Sequence, residues 1–325
     1  MTKPATNIGK DRLELLQTFV RIVEAGSLSA AAAQMLSTQP TVSRRLKALE
    51  KELGLQLLQR STHAMHLTAD GERCYERAKE LLASWDSFDF ELRGSDAALE
   101  GVLRVVVPHA FGQDLFVRAL ARFLNRHPRI SIEWLLHDDR ALHDYIAAGV
   151  DCAIQVGEPS ALGVVAVKLS EVPRIAVAAP SLLQGAAAPD DPADLTGMPW
   201  LALHTYYRNE IELTHAATGV TQRLVLQPRI STDSLYALRS AALSGLGVCV
   251  GSAWLMAEDI ARGRLVRVAP QWQAQPLPVY LIYPYARFYS ARLRQFIEAM
   301  KTAIPEILAD VTSDGMLRPG EASRG

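Results

Sequence analysis

The stretch from Ser27 to Thr68 constrains this chain more than any other part of it. A run Ser27-Leu28-Ser29-Ala30-Ala31-Ala32-Ala33 opens it, Ser37 and Thr38 make a hydroxyl-bearing turn, and Val42, Leu46, Leu49 and Leu53 then recur at i, i+4, i+7 and i+11. That spacing places four apolar side chains on one side of a helix, as its buried stripe. Ahead of the stretch, Leu13, Leu16, Val20 and Val23, with Phe19 beside them, mark a first helix that stops at Gly26. Ser27 falls at the N-cap of a short alanine-rich helix ending near Met35 and Leu36, whose small side chains permit close helix contact. Short helices joined by tight turns are therefore expected up to Gly54.

The helix after Thr38 has a chemistry as well as a shape. At about 100° per residue, Arg44, Lys47 and Lys51 project almost opposite the apolar stripe, while Gln39, Pro40, Thr41 and Ser43 occupy its first turns. Thr38 is its expected cap, and proline is tolerated in a first turn. Gln and Arg can contact base edges bidentately, Ser and Thr can reach phosphates or bases, and a helix N-terminus favours a phosphate. A solvated charged face is the ordinary alternative, but the alanine-rich helix and turn before it favour recognition of a major groove. The chain carries 34 Lys and Arg against 35 Asp and Glu, a net charge of -1, so a generally basic nucleic-acid-coating protein is excluded and any DNA affinity must be local.

Phe19, Gly26-Ser27, Ala31-Ala32, Leu36, Gln39-Pro40, Val42-Ser43, Leu49-Glu50, Leu53-Gly54, Leu57, Arg60, Leu67-Thr68 and Gly71 together resemble the N-terminal winged helix-turn-helix of LysR-type transcriptional regulators. The resemblance implies a DNA-binding domain over residues 11–67, after a loose tail over 1–10. It implies DNA contacts from Ser27, Thr38, Gln39, Pro40, Thr41, Ser43, Arg44, Arg45 and Lys47, and from Arg60, Thr62, His63 and His66 in a wing. Thr38 stands where the family commonly has serine and Leu58 where it has phenylalanine; both swaps keep a cap and an apolar plug. His63, Ala64 and His66 stand where the family has arginines, which removes permanent charge and leaves a phosphate affinity that is weaker, or that rises as pH falls.

From Thr68 to Arg93 there is no proline and only Gly71 near the start, so a long helix is expected. Tyr75, Ala78, Leu82, Trp85 and Leu92 share a roughly heptad-spaced face, with Leu81 and Phe88 beside it and Asp89 interrupting it. Packing on its own domain competes with a dimer seam; the resemblance favours the seam, making residues 68–95 a linker and dimerisation helix that ends in a hinge at Gly94-Ser95-Asp96.

Strand and helix signals then alternate. Strands are expected at Leu103 to Val107, 130–135, 151–156, 173–179, 200–203, 224–226, 248–250 and 277–283, and helices at 115–126, 140–148, 234–243 and from Tyr289 to about Ile304, before Pro305. Such alternation argues a parallel α/β sheet. Pro108 with Phe111-Gly112, Gly149-Val150-Asp151 with Val156-Gly157, and Ala241 to Gly247 resemble the family's effector domain. The implied fold is multidomain: a mainly α winged helix-turn-helix with a linker helix, followed by an α/β periplasmic-binding-protein-like effector domain over residues 96–312. Subdomain I would hold 101–170 plus 277–312 and subdomain II 171–276, with a disordered tail over 313–325. Ligands in such folds bind outside the carboxyl ends of strands. The resemblance and the strand pattern nominate Pro108, His109, Ala110, Phe111, Gln155, Val156, His204, Tyr206, Thr232 and Asp233 for the effector. Gln155 stands where near relatives carry arginine, which leans toward a neutral or weakly charged effector.

Other classes find little support. Gly245, Gly247 and Gly251 miss the dinucleotide fingerprint, no phosphate loop or nucleophile elbow is present, and no carboxylate or cysteine completes a metal site around His63 and His66. No enzyme activity, cofactor or metal is expected. Cys74, Cys152 and Cys249 are odd in number and far apart, which argues for a reducing compartment, and the N-terminus lacks the apolar core of a signal peptide. No apolar run is long enough to span a bilayer. The expected protein is cytoplasmic, with double-stranded promoter DNA and a small-molecule effector as partners, a homodimer through the linker helix assembled into a homotetramer, RNA polymerase as a further partner and no membrane. Alternatives are a redox regulator acting through Cys152, although burial and Asp151 argue for inert thiols, and a constitutive DNA-binding protein with a vestigial pocket. A solute-binding protein without gene control would need an export signal and no DNA reader. Replacing His63→Arg and His66→Arg together is expected to steepen the salt dependence of DNA binding; an unchanged slope would count against a weakened wing.

Overall fold

The computed structural model describes residues 8–35, 37–60, 65–93, 99–137, 149–159 and 163–316. Most of the N-terminal tail, Leu36, Thr62, His63 and Ala64 of the wing, the hinge at 94–96, the expected helix 140–148 and the end of the chain lie outside the described residues. The chain divides into two compact units. One runs to Gly101 and includes Tyr285–Gln295; the other runs from Val102 to Pro284, apart from the segment Ala147–Gly149, and resumes at Phe296.

The first unit contains helices α1 (Ile8–Ala25), α2 (Leu28–Gln34), α3 (Gln39–Leu53) and α4 (Ala69–Arg93), with strands β1 (Leu58–Arg60) and β2 (Met65–Leu67) before α4. The first helix begins at Ile8, inside the expected tail. Phe19 and Ile22 of α1, Leu28, Ala31 and Ala32 of α2, and Val42, Leu46 and Leu49 of α3 are buried in one cluster with Leu57 and Leu58. Each large side chain so buried contributes about 1.5–3 kcal/mol. Ser27 caps α2 as expected, its Oγ accepting from the Ala30 N–H at 3.1 Å. Leu53 departs from the expected stripe and is 44% exposed. It is the last residue of α3, and the chain leaves the helix at Gly54 through a left-handed φ of 68°.

Two contacts fasten the strands to this core. Glu50 accepts hydrogen bonds from the Leu57 and Leu58 N–H groups through one carboxylate oxygen, at 2.9 and 3.3 Å. Thr68 opens α4, its hydroxyl accepting from the Gly71 N–H at 2.9 Å and donating to the Gln56 carbonyl at 2.6 Å. Gly71 has to be glycine because a Cβ there would sit 2.0 Å from the Leu57 carbonyl oxygen.

The apolar face expected on α4 splits in two. Tyr75 and Ala78 are buried in the first unit's own core, with Leu82 packed against it. Leu81, Trp85, Phe88 and Leu92, at i, i+4, i+7 and i+11, stay between 48% and 71% exposed. The unpartnered stripe therefore runs through Leu81 and Phe88, which the sequence pattern had set beside the face, and the Trp85 and Phe88 rings lie 5.8 Å apart on it.

The remaining elements are β3 (Gly101–Val107), α5 (His109–Gly112), α6 (Val117–Arg126), β4 (Ile130–Leu136), β5 (Cys152–Val156), β6 (Val164–Ala178), α7 (Pro180–Leu183), β7 (Trp200–Leu203), β8 (Glu210–His215), β9 (Thr221–Val225), β10 (Pro228–Thr232), α8 (Leu235–Leu243), β11 (Cys249–Ser252), α9 (Ala253–Ala261), β12 (Val266–Arg267), β13 (Trp272–Pro284) and α10 (Ala291–Met316). The main sheet has the order β11-β6-β13-β5-β3-β4. Strands β3 and β5 are parallel, but β13 runs antiparallel to both β5 and β6. The sheet is thus mixed, where alternation alone had suggested a parallel one. The reason is a long antiparallel ribbon of β6 and β13, 15 and 13 residues long. Strands β7 and β10 form a separate parallel pair, and β8 with β9 makes a hairpin on β13.

Helix α10 continues through Pro305 to Met316, past its expected stop. Proline in a helix interior costs about 3 kcal/mol. Ile304, Ile307 and Leu308 are all buried around it, and at about 1.5–3 kcal/mol each their burial outweighs the break. Gly71→Ala is expected to destabilise the first unit by about 1–3 kcal/mol, read as a lower denaturation midpoint; an unchanged midpoint would show that the segment at Leu57 gives way without strain.

Candidate functional site

The buried stripe of α3 decides which side chains face outward. Pro40, Arg44, Lys47 and Lys51 are exposed at i, i+4, i+7 and i+11, with Thr38 and Gln39 exposed at the helix entry and Thr41 and Ser43 half-buried. Thr38 occupies the N-cap with an extended backbone, yet its side chain makes no cap bond; its hydroxyl lies 2.9 Å from that of Thr41 instead. Arg45 is drawn to the Glu14 carboxylate on α1 and Arg12 to Glu52, so the two helices are also tied by ion pairs. Ser27 is engaged as a cap. Arg45 and Ser27 thus have duties inside the domain, and the outward set is Thr38, Gln39, Pro40, Arg44 and Lys47.

Beside α3, β1 and β2 pair antiparallel with Leu58 opposite Leu67, Gln59 opposite His66 and Arg60 opposite Met65. Leu58 is buried, filling the plug position, and His66 is exposed. Thr62 and His63 lie outside the described residues. Glu50, which holds the start of this hairpin, was overlooked as a positioning residue; a carboxylate directly after the apolar Leu49 was its signal.

In the second unit an open cleft is walled by the ends of β3, β5 and β7 and by β6, β11 and β13. Of the residues nominated from sequence, Pro108, Ala110, Phe111, Gln155, Val156, Tyr206 and Asp233 line it. His109, His204 and Thr232 do not. His204 donates its N–H to the Thr232 carbonyl at 2.9 Å, and Thr232 accepts the Ser234 N–H on its hydroxyl at 3.1 Å, so both serve the join between β7, β10 and α8. His109 is exposed on α5.

The cleft also holds residues not anticipated, chief among them Arg174, Tyr207, Ser252 and Leu277. Arg174 is half-buried, and its Nε donates to the Gln275 carbonyl at 2.8 Å. Burial pulls its pKa down, while the nearby Tyr207 and Tyr206 hydroxyls raise it. Its signal was a lone charge in the apolar run Val172-Pro173-Arg174-Ile175. Tyr207 is buried, and its hydroxyl accepts from the Val250 N–H at 2.9 Å and donates to the Leu201 carbonyl at 3.0 Å, which makes it a fixed part of the wall. Gln155 donates its amide to the Glu158 carbonyl at 3.0 Å. Phe111 stacks on Phe116 at 5.0 Å and tilts on Trp254 at 5.2 Å.

Cys152 and Cys249 are buried, and Cys74 is partly so. Burial pushes the Cys249 thiol up to about 12. Burial, with Asp151 adding to it, holds Cys152 well above the ordinary thiol range. Neither has thiolate character at neutral pH. Among the described residues no group of three His, Cys, Asp or Glu side chains is arranged to hold a metal ion, and no helix is long and apolar enough to cross a membrane.

These features agree with the known proteins the chain is similar to. Residues 13–72 match the family of bacterial regulatory helix-turn-helix proteins of the lysR type, and residues 96–305 match the LysR substrate binding domain. The HTH-type transcriptional regulator PtxR of Pseudomonas aeruginosa is 32% identical over 289 residues, covering 89% of this chain and 92% of its own. The HTH-type transcriptional activator AaeR of Escherichia coli is 30% identical over 273 residues, covering 84% and 87%. Among solved structures, full-length AphB, a virulence activator of Vibrio cholerae, aligns with a TM-score of 0.54 at 27% identity, over 89% of this chain and 98% of its own. CrgA, a LysR-type transcriptional regulator from Neisseria meningitidis, aligns with a TM-score of 0.53 at 27% identity, over 92% and 98%. With an N-terminal helix-turn-helix domain followed by an α/β effector domain, the chain belongs to the LysR family of transcriptional regulators.

Proposed function

We propose that this regulator reads a partly palindromic promoter site by laying the first turns of α3 in the major groove, and that it answers a small molecule held in the cleft of its effector domain. The observation that carries the reading is the division of α3 into a buried stripe and an outward face of Gln39, Pro40, Arg44 and Lys47. Gln39 and Arg44 have the donors for base edges, Thr38 and Lys47 those for phosphate, and Arg60, Thr62, His63 and His66 are read as the DNA contacts of the wing. Two such helices have to be held at a fixed spacing. The exposed stripe Leu81, Trp85, Phe88 and Leu92 on α4 supplies the seam for a homodimer, and two dimers form the tetramer.

The effector domain is read as two halves, residues 101–170 plus 277–312 and residues 171–276, and the cleft is lined from both, by Pro108 and Gln155 of the first and Arg174 and Asp233 of the second. A ligand that prefers one arrangement of those halves shifts the assembly toward it, and with it the spacing of the DNA readers. Action is at promoters in the cytoplasm, in contact with RNA polymerase and without catalysis or cofactor. The burial of Cys152 and Cys249 weighs against a redox trigger.

Arg44→Ala is expected to weaken binding to an operator selected from random DNA by about 1–3 kcal/mol, with the folding midpoint unchanged, as read by fluorescence anisotropy. Equal loss on operator and random DNA would assign Arg44 to phosphate instead of a base, and no loss on either would remove α3 as the reader.

A further inference from the structure

We infer that the cleft takes a small organic anion, a monocarboxylate with an apolar body, and that Arg174 is the residue that binds its carboxylate. The inference rests on the cleft being the effector site, and it reverses the leaning toward a neutral effector drawn from Gln155.

The position of Arg174 follows from an irregularity in the ribbon. Ala274 pairs with Arg174 and Leu277 pairs with Val172, so β13 carries one residue more than β6 across this step. Pro173 and Pro276 lie in the step, and neither has an N–H to give to a ladder. The bulge frees the Gln275 carbonyl, which accepts the Arg174 Nε at 2.8 Å and holds the guanidinium from one edge. That bond uses one of five guanidinium donors. Among the described residues no carboxylate forms an ion pair with Arg174, and its charge is partly removed from water. A half-buried cation without a counter-ion is unfavourable, and a planar carboxylate is the partner that meets its donor fork two bonds at a time. Ser252, opposite Arg174 in the neighbouring strand, is buried on the same cleft and adds a hydroxyl at that end.

The rest of the wall selects the body of the ligand. Val106, Phe111, Val156, Leu203 and Leu277 present apolar surface, and Tyr207 is locked by its own backbone bonds. Asp233 is exposed and is the carboxylate among the described lining residues. A ligand with one negative charge satisfies Arg174, whereas a second one elsewhere on the ligand would find no other Arg or Lys among the described lining residues, only His137, and would be repelled by Asp233.

Benzoate and benzamide have nearly the same shape and differ in charge, which makes them a direct pair of probes. The full-length protein is melted with each at concentrations up to about 10 mM, since a ligand that binds only the folded state raises the melting midpoint. Benzoate is expected to raise it and benzamide to leave it unchanged. Arg174→Met is expected to weaken benzoate by about tenfold or more, and Arg174→Lys, which keeps the charge and loses the fork, to fall between; retained operator binding shows that each variant is folded. Leu277→Trp narrows the cleft without touching the charge. A benzoate response lost in Leu277→Trp but intact in Arg174→Met would overturn the role of Arg174 and leave the cleft as the effector site. A response that survives both substitutions would place the ligand elsewhere and overturn both readings. An equal response to benzamide, or none to benzoate, would overturn the monocarboxylate.

Discussion

The burial of Val42, Leu46 and Leu49 against Phe19 and Ile22 is the contact on which the DNA-reading half depends. A helix turns by about 100° per residue, so a slip of one position would carry Arg44 a quarter-turn or more away from the groove. Three large side chains in one cluster make that slip costly, and the ion pair of Arg45 with Glu14 adds a polar check on the same rotation. Glu50 extends the control one step further, from the far end of α3 to the first residues of the hairpin. Reader and wing are therefore positioned by one helix, with its apolar side toward the core and its carboxylate toward the following loop.

In the second unit the organising element is the β6–β13 ribbon. It joins the β5 side of the sheet to β11 and supplies Arg174 and Leu277 to the cleft. The bulge that interrupts its ladder frees the carbonyl that fixes Arg174. Local irregularity, strand topology and ligand chemistry meet at that point. Fixed wall residues such as Tyr207 and Phe111 then let the cleft discriminate by charge and shape.

Much of the first unit was legible because its signals are local. Ser27 at a cap and the apolar spacing along α3 are each set by residues within a few positions of one another. What was missed depended on distant neighbours. Leu53 has the right spacing for burial but no chain above it, and which stripe of α4 is free depends on what Tyr75 and Ala78 have already covered. Pro305 reads as a stop unless the burial of Ile304, Ile307 and Leu308 is known. The first half of β6 was hidden by Pro173, which belongs to the bulge, while the alternation Glu210-Ile211-Glu212-Leu213 of β8 was a readable signal that was passed over. Pro108, Phe111, Gln155 and Asp233, nominated from strand ends, line the cleft because their places follow from strand order. Arg174 comes from the middle of a long strand and is brought there by pairing partners far away in sequence.

The central claim is that α3 enters the major groove, and guanine N7 lies in that groove alone. Protection of guanine N7 from dimethyl sulfate by the full-length protein, measured on its selected operator at saturation, tests it most directly. The account requires protected guanines in two patches separated by a whole number of helical turns, with the protection in each patch reduced when Gln39 and Arg44 are replaced by alanine. A fully occupied operator on which every guanine N7 stays reactive would contradict it.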